Sequence, residues 1–248
     1  MEERFHSWLE HLETRHASSL TFAELRGGVV ALSRVYVEER ARLGRGAVFQ
    51  GRAKRAAFAC FYTPLHFLVI RKVVAELGLQ DPAPRRILDL GCGLAAAGGA
   101  WSLAAGGRPL VVGIDQSRWC VVEARNSLAA LGLRGTVRRE AIGRSRIPTG
   151  CDAVVAAYCV NELEPASRQI LLDRLLRGRA SVLVVEPIAE RLNPWWGDWA
   201  DAFAQAGGEG NLWRFHCDLP EKLKLLDRAS GLDHGVLKVR SLVLRKDS

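Results

Sequence analysis

Asp89, Gly91 and Gly93 sit in the segment Arg86-Ile-Leu-Asp-Leu-Gly-Cys-Gly-Leu-Ala-Ala-Ala-Gly98, where a short apolar run ends in an acid and passes into a glycine turn. This pattern predicts a strand, a turn whose glycines take positive φ and leave room for a ligand, and a helix whose N-terminus closes a nucleotide niche. Gly91-Cys92-Gly93-Leu-Ala-Ala96 also fits the loose G-x-G-x-x-G/A dinucleotide fingerprint, so the motif alone admits nucleosides with or without phosphates. Charge separates the two. A pyrophosphate here would face the Asp89 carboxylate, a repulsion of about 1 kcal/mol at ~4 Å in water and more in a partly buried site. S-adenosylmethionine carries an ammonium and a sulfonium but no phosphate, so the acid favours a methyltransferase over a dehydrogenase.

A second apolar run, Pro109-Leu-Val-Val-Gly-Ile-Asp115, also ends in an acid, 24 residues after Gly91 and near the offset at which such an acid accepts ribose hydroxyls. Asp115, or Ser117 after Gln116, could equally cap the following helix. The run Cys151-Asp-Ala-Val-Val-Ala-Ala-Tyr-Cys-Val-Asn-Glu-Leu-Glu-Pro165 places Ala157, Tyr158, Asn161 and Glu162 at the carboxyl edge of a fourth strand, where open α/β sheets collect ligands. A purely local role for Asn161 and Glu162, satisfying the loop before the next helix, stays open.

The roles expected follow from these places. Asp89 holds the cofactor's amino-acid end; Gly91, Cys92 and Gly93 form its turn; Asp115 and Gln116 take the ribose, and Glu140 and Ala141 flank the adenine. Ala157 and Tyr158 also contact the cofactor, and Tyr158 and Asn161 border the methyl group as the catalytic pair, with Asn161 accepting a hydrogen bond from a substrate amino group. Thr63 and His66 are candidates for a lid over the substrate, although a histidine on an apolar face is also a common core residue. Arg52, Arg55 and Glu162 complete the substrate candidates. No side chain reads as a general base. The donor methyl is already activated, so alignment and exclusion of water carry the reaction.

The elements that must position these groups form an α/β pattern. Strands are expected at 86–90, 109–114, 135–140, 152–158 and 180–186, with helices at 94–105, 117–131 and 166–177, which is a mostly parallel sheet covered on both faces. A tryptophan-rich helix near 195–206, a strand near 212–217, a helix at 220–230 and a last strand at 235–245 follow. Upstream, residues 1–84 read as a helical subdomain or lid, and 85–248 as the cofactor-binding domain. Thr21-Phe-Ala-Glu24 is a capping box that opens a helix to about Arg40. A basic linker, Leu43-Gly-Arg-Gly46, comes next, and Pro64 should end or begin a helix within the apolar stretch 53–79.

The net charge of +8 lies in the first 150 residues: +3 over 1–84 and +6 over 85–150, against −1 over 151–248. Two arginine-rich clusters, Arg40, Arg42, Arg45, Arg52, Lys54 and Arg55, and Arg134, Arg138, Arg139, Arg144 and Arg146, suit a polyanion such as RNA, or solvate an arginine-rich surface. The six cysteines form no C-x-x-C pair and read as reduced core thiols without a metal or cluster. His6, His11 and His16 are spread around one helix and read as surface residues. With no apolar run of 18 residues and no signal-peptide pattern, a cytoplasmic protein without membrane contact is expected.

Asp89-Leu-Gly-Cys-Gly93, the Gly-Ile-Asp115 strand end, Ala157-Tyr-Cys-Val-Asn-Glu-Leu163 and Val184-Val-Glu-Pro187 resemble the methyltransferase-like proteins of the mitochondrial small ribosomal subunit and their bacterial relatives. Leu32-Ser-Arg-Val-Tyr36 and Phe61-Tyr-Thr-Pro-Leu-His-Phe67 extend the similarity to about residues 30–245. The resemblance implies a Rossmann-like class I methyltransferase fold with a seven-stranded sheet, S-adenosylmethionine binding, and association with small-subunit RNA or ribosome assembly. Three departures stand out. Ala95 replaces a common glycine, the cysteine cluster with which some members hold an iron-sulfur centre has no counterpart, and Trp195, Trp196, Trp199 and Trp213 lie near the C-terminus, as core packing or as a stacking platform. The functions expected are methylation of small-subunit RNA, methylation of a small molecule in an enclosed pocket, or cofactor-dependent ribosome assembly with little turnover.

Overall fold

The computed structural model describes residues 2–38, 49–145, 147–189 and 193–246. Arg40, Arg42, Arg45, Arg146, the linker 43–46 and the side chain of Arg144 lie outside the described residues. Strands β1 (Arg86–Leu90), β2 (Leu110–Asp115), β3 (Gly135–Arg139), β4 (Ala153–Ala157), β5 (Ser181–Pro187), β6 (Glu209–His216) and β7 (Val236–Leu244) form one sheet in the order β3-β2-β1-β4-β5-β7-β6. The first five pair in parallel, whereas β7 runs antiparallel to both β5 and β6. Central strands β1, β4 and β5 are buried along nearly their whole length because helices cover both of their faces, whereas edge strand β6 has no fully buried residue.

One face of the sheet packs against α5 (Ala96–Ala104), α6 (Arg118–Ala130) and α9 (Glu221–Ala229), the other against α7 (Pro165–Arg177) and α8 (Trp196–Gln205). Helices α1 (Glu2–His16), α2 (Phe22–Glu38), α3 (Arg52–Ala57) and α4 (Thr63–Glu76) join the first face. Phe5 stacks on Phe67 at 4.9 Å, and these rings share one apolar cluster with Ile87, Val111 and Val155 of the sheet. The helical segment 1–84 therefore shares its core with the sheet. Each fully buried ring or leucine in it contributes about 1.5–3 kcal/mol.

The capping box forms reciprocally: Thr21 N–H donates to Glu24 Oε2 at 2.7 Å, and Glu24 N–H to Thr21 Oγ1 at 3.3 Å. Pro64, expected to end or begin a helix, begins α4, and the helical run continues through it. Residues Phe58–Tyr62 form a π turn, in which Thr63 N–H reaches back five residues to Phe58 O, and Pro64 then enters the first turn of α4. Widening the helix just before the proline accommodates its missing N–H and its ring. The resulting 25-residue run, Arg52–Glu76, is long and apolar enough to cross a membrane, and 83% of its most apolar window is buried within this molecule.

His16 is not a surface residue. Its side chain is 8% exposed, 3.4 Å from Glu123 and edge-on to Trp119, because α1 packs on α6. Among the described residues no group of three or more His, Cys, Asp or Glu side chains could hold a metal ion, and the six cysteines are unpaired.

Candidate functional site

A cleft of about 1190 Å³ opens at the carboxyl edge of the parallel strands and is walled on one side by α4 and the π turn. Its floor is the turn between β1 and α5. Gly91 (φ +62°), Gly93 (φ +52°) and Ala95 (φ +60°) all adopt left-handed conformations, so Ala95 does with a methyl group what glycine does without strain. Both glycines line the cleft, and each also makes room for protein packed against the turn. A Cβ on Gly91 would lie 2.7 Å from Cys159 Cβ, and one on Gly93 would lie 3.3 Å from the Phe58 ring.

Two carboxylates brace this turn. Asp115 Oδ2 accepts Gly93 N–H at 3.0 Å, and its Oδ1 accepts Ser117 N–H at 2.7 Å at the start of α6. Asp115 thus holds the entry to α6 and also lines the cleft. Ser117 caps α6 through Cys120 N–H. Asp89, 1% exposed, accepts Gly98 N–H at 2.8 Å and ties α5 to β1. Burial pushes the Asp89 carboxyl up to about 7, and Asp115 is also raised, chiefly by burial. At that value Asp89 is partly protonated near neutrality.

Tyr158, Asn161 and Glu162 follow β4. Tyr158 takes φ +59°, donates its N–H to Val185 O at 2.9 Å, and stacks its ring on His66 of α4 at 3.9 Å and 15°. Non-glycine residues at such a φ cluster at functional sites. Burial pushes the Tyr158 hydroxyl well above its usual range and the His66 ring down to about 3, with His234 a lesser cause for His66. Both rings are neutral at physiological pH. The short turn 160–162 is held from below by Glu186, 0% exposed, which accepts Val160 N–H at 3.0 Å and Asn161 N–H at 3.4 Å. Asn161 Oδ1 is buried with no hydrogen-bond partner among the described residues.

Of the residues singled out in the sequence, Thr63, His66, Asp89, Gly91, Cys92, Gly93, Asp115, Gln116, Ala141, Ala157, Tyr158, Asn161 and Glu162 line the cleft. Several do so in other ways than expected. The Thr63 hydroxyl is used within the π turn, donating to Phe58 O at 2.8 Å. Glu140 lies outside the lining and pairs with Arg138 at 3.8 Å. Arg52 donates to Ser19 O at 3.0 Å, and Arg55 donates to Phe49 O at 2.8 Å with its guanidinium over Trp119; neither lines the cleft. Trp195 and Trp199 pack with Phe203 in the core of the opposite face, which removes them as a stacking platform at this cleft. Sequence reasoning missed Asp227 and His234. The latter enters the cleft from the loop before β7, and only the reversed direction of β7 brings that loop to this edge.

The strand order, with a single reversed strand and a strand-end acid on each side of a glycine turn, is the Rossmann-like class I methyltransferase fold. Solved structures similar to the chain carry the same fold. An O-methyltransferase family protein from Burkholderia thailandensis matches at 12% identity and a TM-score of 0.57, over 90% of this chain and 73% of that one. The StiE O-methyltransferase segment matches at 11% and 0.51, over 83% and 80%. The magnesium protoporphyrin IX methyltransferase of Synechocystis, solved with bound S-adenosylmethionine, matches at 14% and 0.50, over 92% and 99%. Residues 52–191 match the family described as mitochondrial small ribosomal subunit Rsm22, and the chain belongs to that family. No curated protein sequence matches it.

Proposed function

We propose that this protein binds S-adenosylmethionine in the cleft and methylates RNA of the small ribosomal subunit. The observation that supports the cofactor most is Asp115. A carboxylate has about four acceptor positions, and two are taken by Gly93 and Ser117, which leaves two toward the cleft for the paired hydroxyls of a ribose. The buried, unpartnered Asn161 Oδ1 calls for a donor of the kind a cofactor or substrate amino group supplies. Asp89 and Asp115 suit a cationic cofactor better than a pyrophosphate.

When bound, S-adenosylmethionine supplies an activated methyl group. What remains for the protein is to align an acceptor in line and keep water out. The stacked, neutral His66 and Tyr158 rings and the apolar Phe58, Leu65 and Val69 offer a flat, dry wall for a planar acceptor such as an extruded base. Membership of a small-subunit family and the charge of +8 support RNA as that acceptor's carrier. The same apolar wall favours, as the second reading, a compact free heteroaromatic molecule.

The test is transfer of labelled methyl from S-adenosylmethionine into purified small-subunit RNA. Saturable incorporation is expected, together with RNA binding that weakens at least ~10-fold between about 50 and 200 mM salt. Cofactor binding with no label in RNA, and an RNA affinity indifferent to salt, would contradict the RNA reading.

A further inference from the structure

We infer that His234, oriented by Asp227, is the base that takes the proton from the methyl acceptor, and that the acceptor atom is an imide nitrogen or a hydroxyl oxygen. The inference rests on the methyl-transfer reading of the cleft. Asp227 lies in the last turn of α9, 3% exposed, and accepts both the backbone N–H of His234 at 2.8 Å and its ring Nδ1 at 2.5 Å. With Nδ1 donating to that carboxylate, the neutral ring carries its lone pair on Nε2. The His234 side chain is 31% exposed and lines the cleft, and its Nε2 has no protein hydrogen-bond partner among the described residues.

Position completes the argument. In the order β2-β1-β4-β5-β7 the cofactor turn lies over β1 and β2, Tyr158 and Asn161 follow β4, and the loop carrying His234 precedes β7. Because β7 is antiparallel, its beginning comes to the edge where β1, β4 and β5 end, so His234 stands across the cleft from the cofactor turn. An acceptor on the Tyr158–His66 wall then lies between donor and base. The charged and titratable groups near His234 are Asp227 from α9, His66 and Tyr62 from the helical run before and within α4, Asp233 in its own loop and Lys238 of β7. His66, down at about 3, does not compete for the proton.

The step balances. A bond forms between the acceptor atom and the methyl carbon, the sulfur–methyl bond breaks with its electron pair staying on sulfur, and the acceptor's proton passes to His234 Nε2. One positive charge moves from sulfonium to imidazolium, where Asp227 neutralises it. A neutral exocyclic amine can shed its proton after methylation, whereas an imide N–H, as in a uracil or guanine base, or a hydroxyl is a poor nucleophile until its proton is taken.

Single-turnover methyl transfer into small-subunit RNA across pH 5.5 to 9 tests this, with calorimetry of S-adenosylmethionine binding and a melting temperature for each variant. His234→Gln should lose about 10²–10⁴-fold in rate and lose the acid limb of the profile while binding the cofactor as the wild type does. Asp227→Asn keeps the imidazole but not the carboxylate that orients it and neutralises the imidazolium, so its rate should also fall while cofactor binding holds. A His234→Gln variant as fast as a wild type that transfers methyl overturns the base and leaves methyl transfer standing. A slow variant whose acid limb is intact overturns it too, and assigns the pair to pinning the loop before β7. A wild type that binds S-adenosylmethionine but labels no RNA contradicts the RNA reading and removes the inference with it.

Discussion

Asp89 should couple cofactor uptake to proton release. Its carboxyl is raised from 3.8 to about 7 because burial outweighs the Gly98 N–H bond that favours the charged form. An acid with a raised folded-state pKa binds its proton more tightly when folded. Its contribution to stability is therefore greatest below the unfolded value of 3.8 and declines as pH rises toward about 7, by roughly 4 kcal/mol in all at ~1.4 kcal/mol per unit. Asp89→Asn keeps an acceptor for Gly98 and does not titrate, so it should match the wild type near pH 4 and exceed it in stability at pH 8, as denaturant melts at both pH values would report. A bound sulfonium and ammonium favour the carboxylate, so uptake at pH 7 should release about half a proton from this site, and affinity at pH 6 should be about fivefold weaker than at pH 7. Calorimetry in buffers of different ionisation heat measures this directly. The Asn variant binds a cofactor with the same ionisations, so the difference between the two isolates Asp89. Equal proton release by both, or a stability gap that does not change with pH, would refute the reasoning.

Other expectations follow from the same geometry. Gly91→Ala should cost about 1–2 kcal/mol for its left-handed φ and a further ~1–3 for the contact with Cys159, read as a lowered melting temperature; a neutral substitution would mean that the turn can relax. Asp115→Ala should weaken S-adenosylmethionine binding about 100-fold, as expected for two hydrogen bonds from ribose to a charged acceptor, and calorimetry showing unchanged affinity would remove it from the site. Glu186→Ala leaves the Val160 and Asn161 N–H groups without their buried acceptor, so chemical denaturation should show a loss of about 2–5 kcal/mol, and turnover should fall as Asn161 shifts; wild-type stability would show that water replaces the carboxylate.

The sheet was legible because its strands are apolar runs closed by acids and glycines. The expected strand ends of β1 to β5 fall within a residue or two of those observed, and Asp115 was placed at the end of β2 because it closes an apolar run. What local pattern could not show was direction and partnership. The amphipathic face of α8 marks Trp195 and Trp199 as buried but not against which face of the sheet, and the charge of Arg52 and Arg55 says nothing of the carbonyls at Ser19 and Phe49 that they meet. The π turn before Pro64 depends on packing around Phe58–Tyr62 and leaves no periodic trace. Asp227 and His234 are seven residues apart across a helix end and a loop; only their position before a strand that turns out to be reversed carries them to the cleft. The acidic turn was read correctly in place, yet its glycines serve close packing with Cys159 and Phe58 as much as any ligand.

Titration calorimetry of the intact protein with S-adenosylmethionine and, separately, with NADH tests the account at its root. The carboxylate-braced turn at Asp89, Gly93 and Asp115 predicts one saturable site for S-adenosylmethionine and no heat from NADH. Tight NADH binding with no response to S-adenosylmethionine would contradict it.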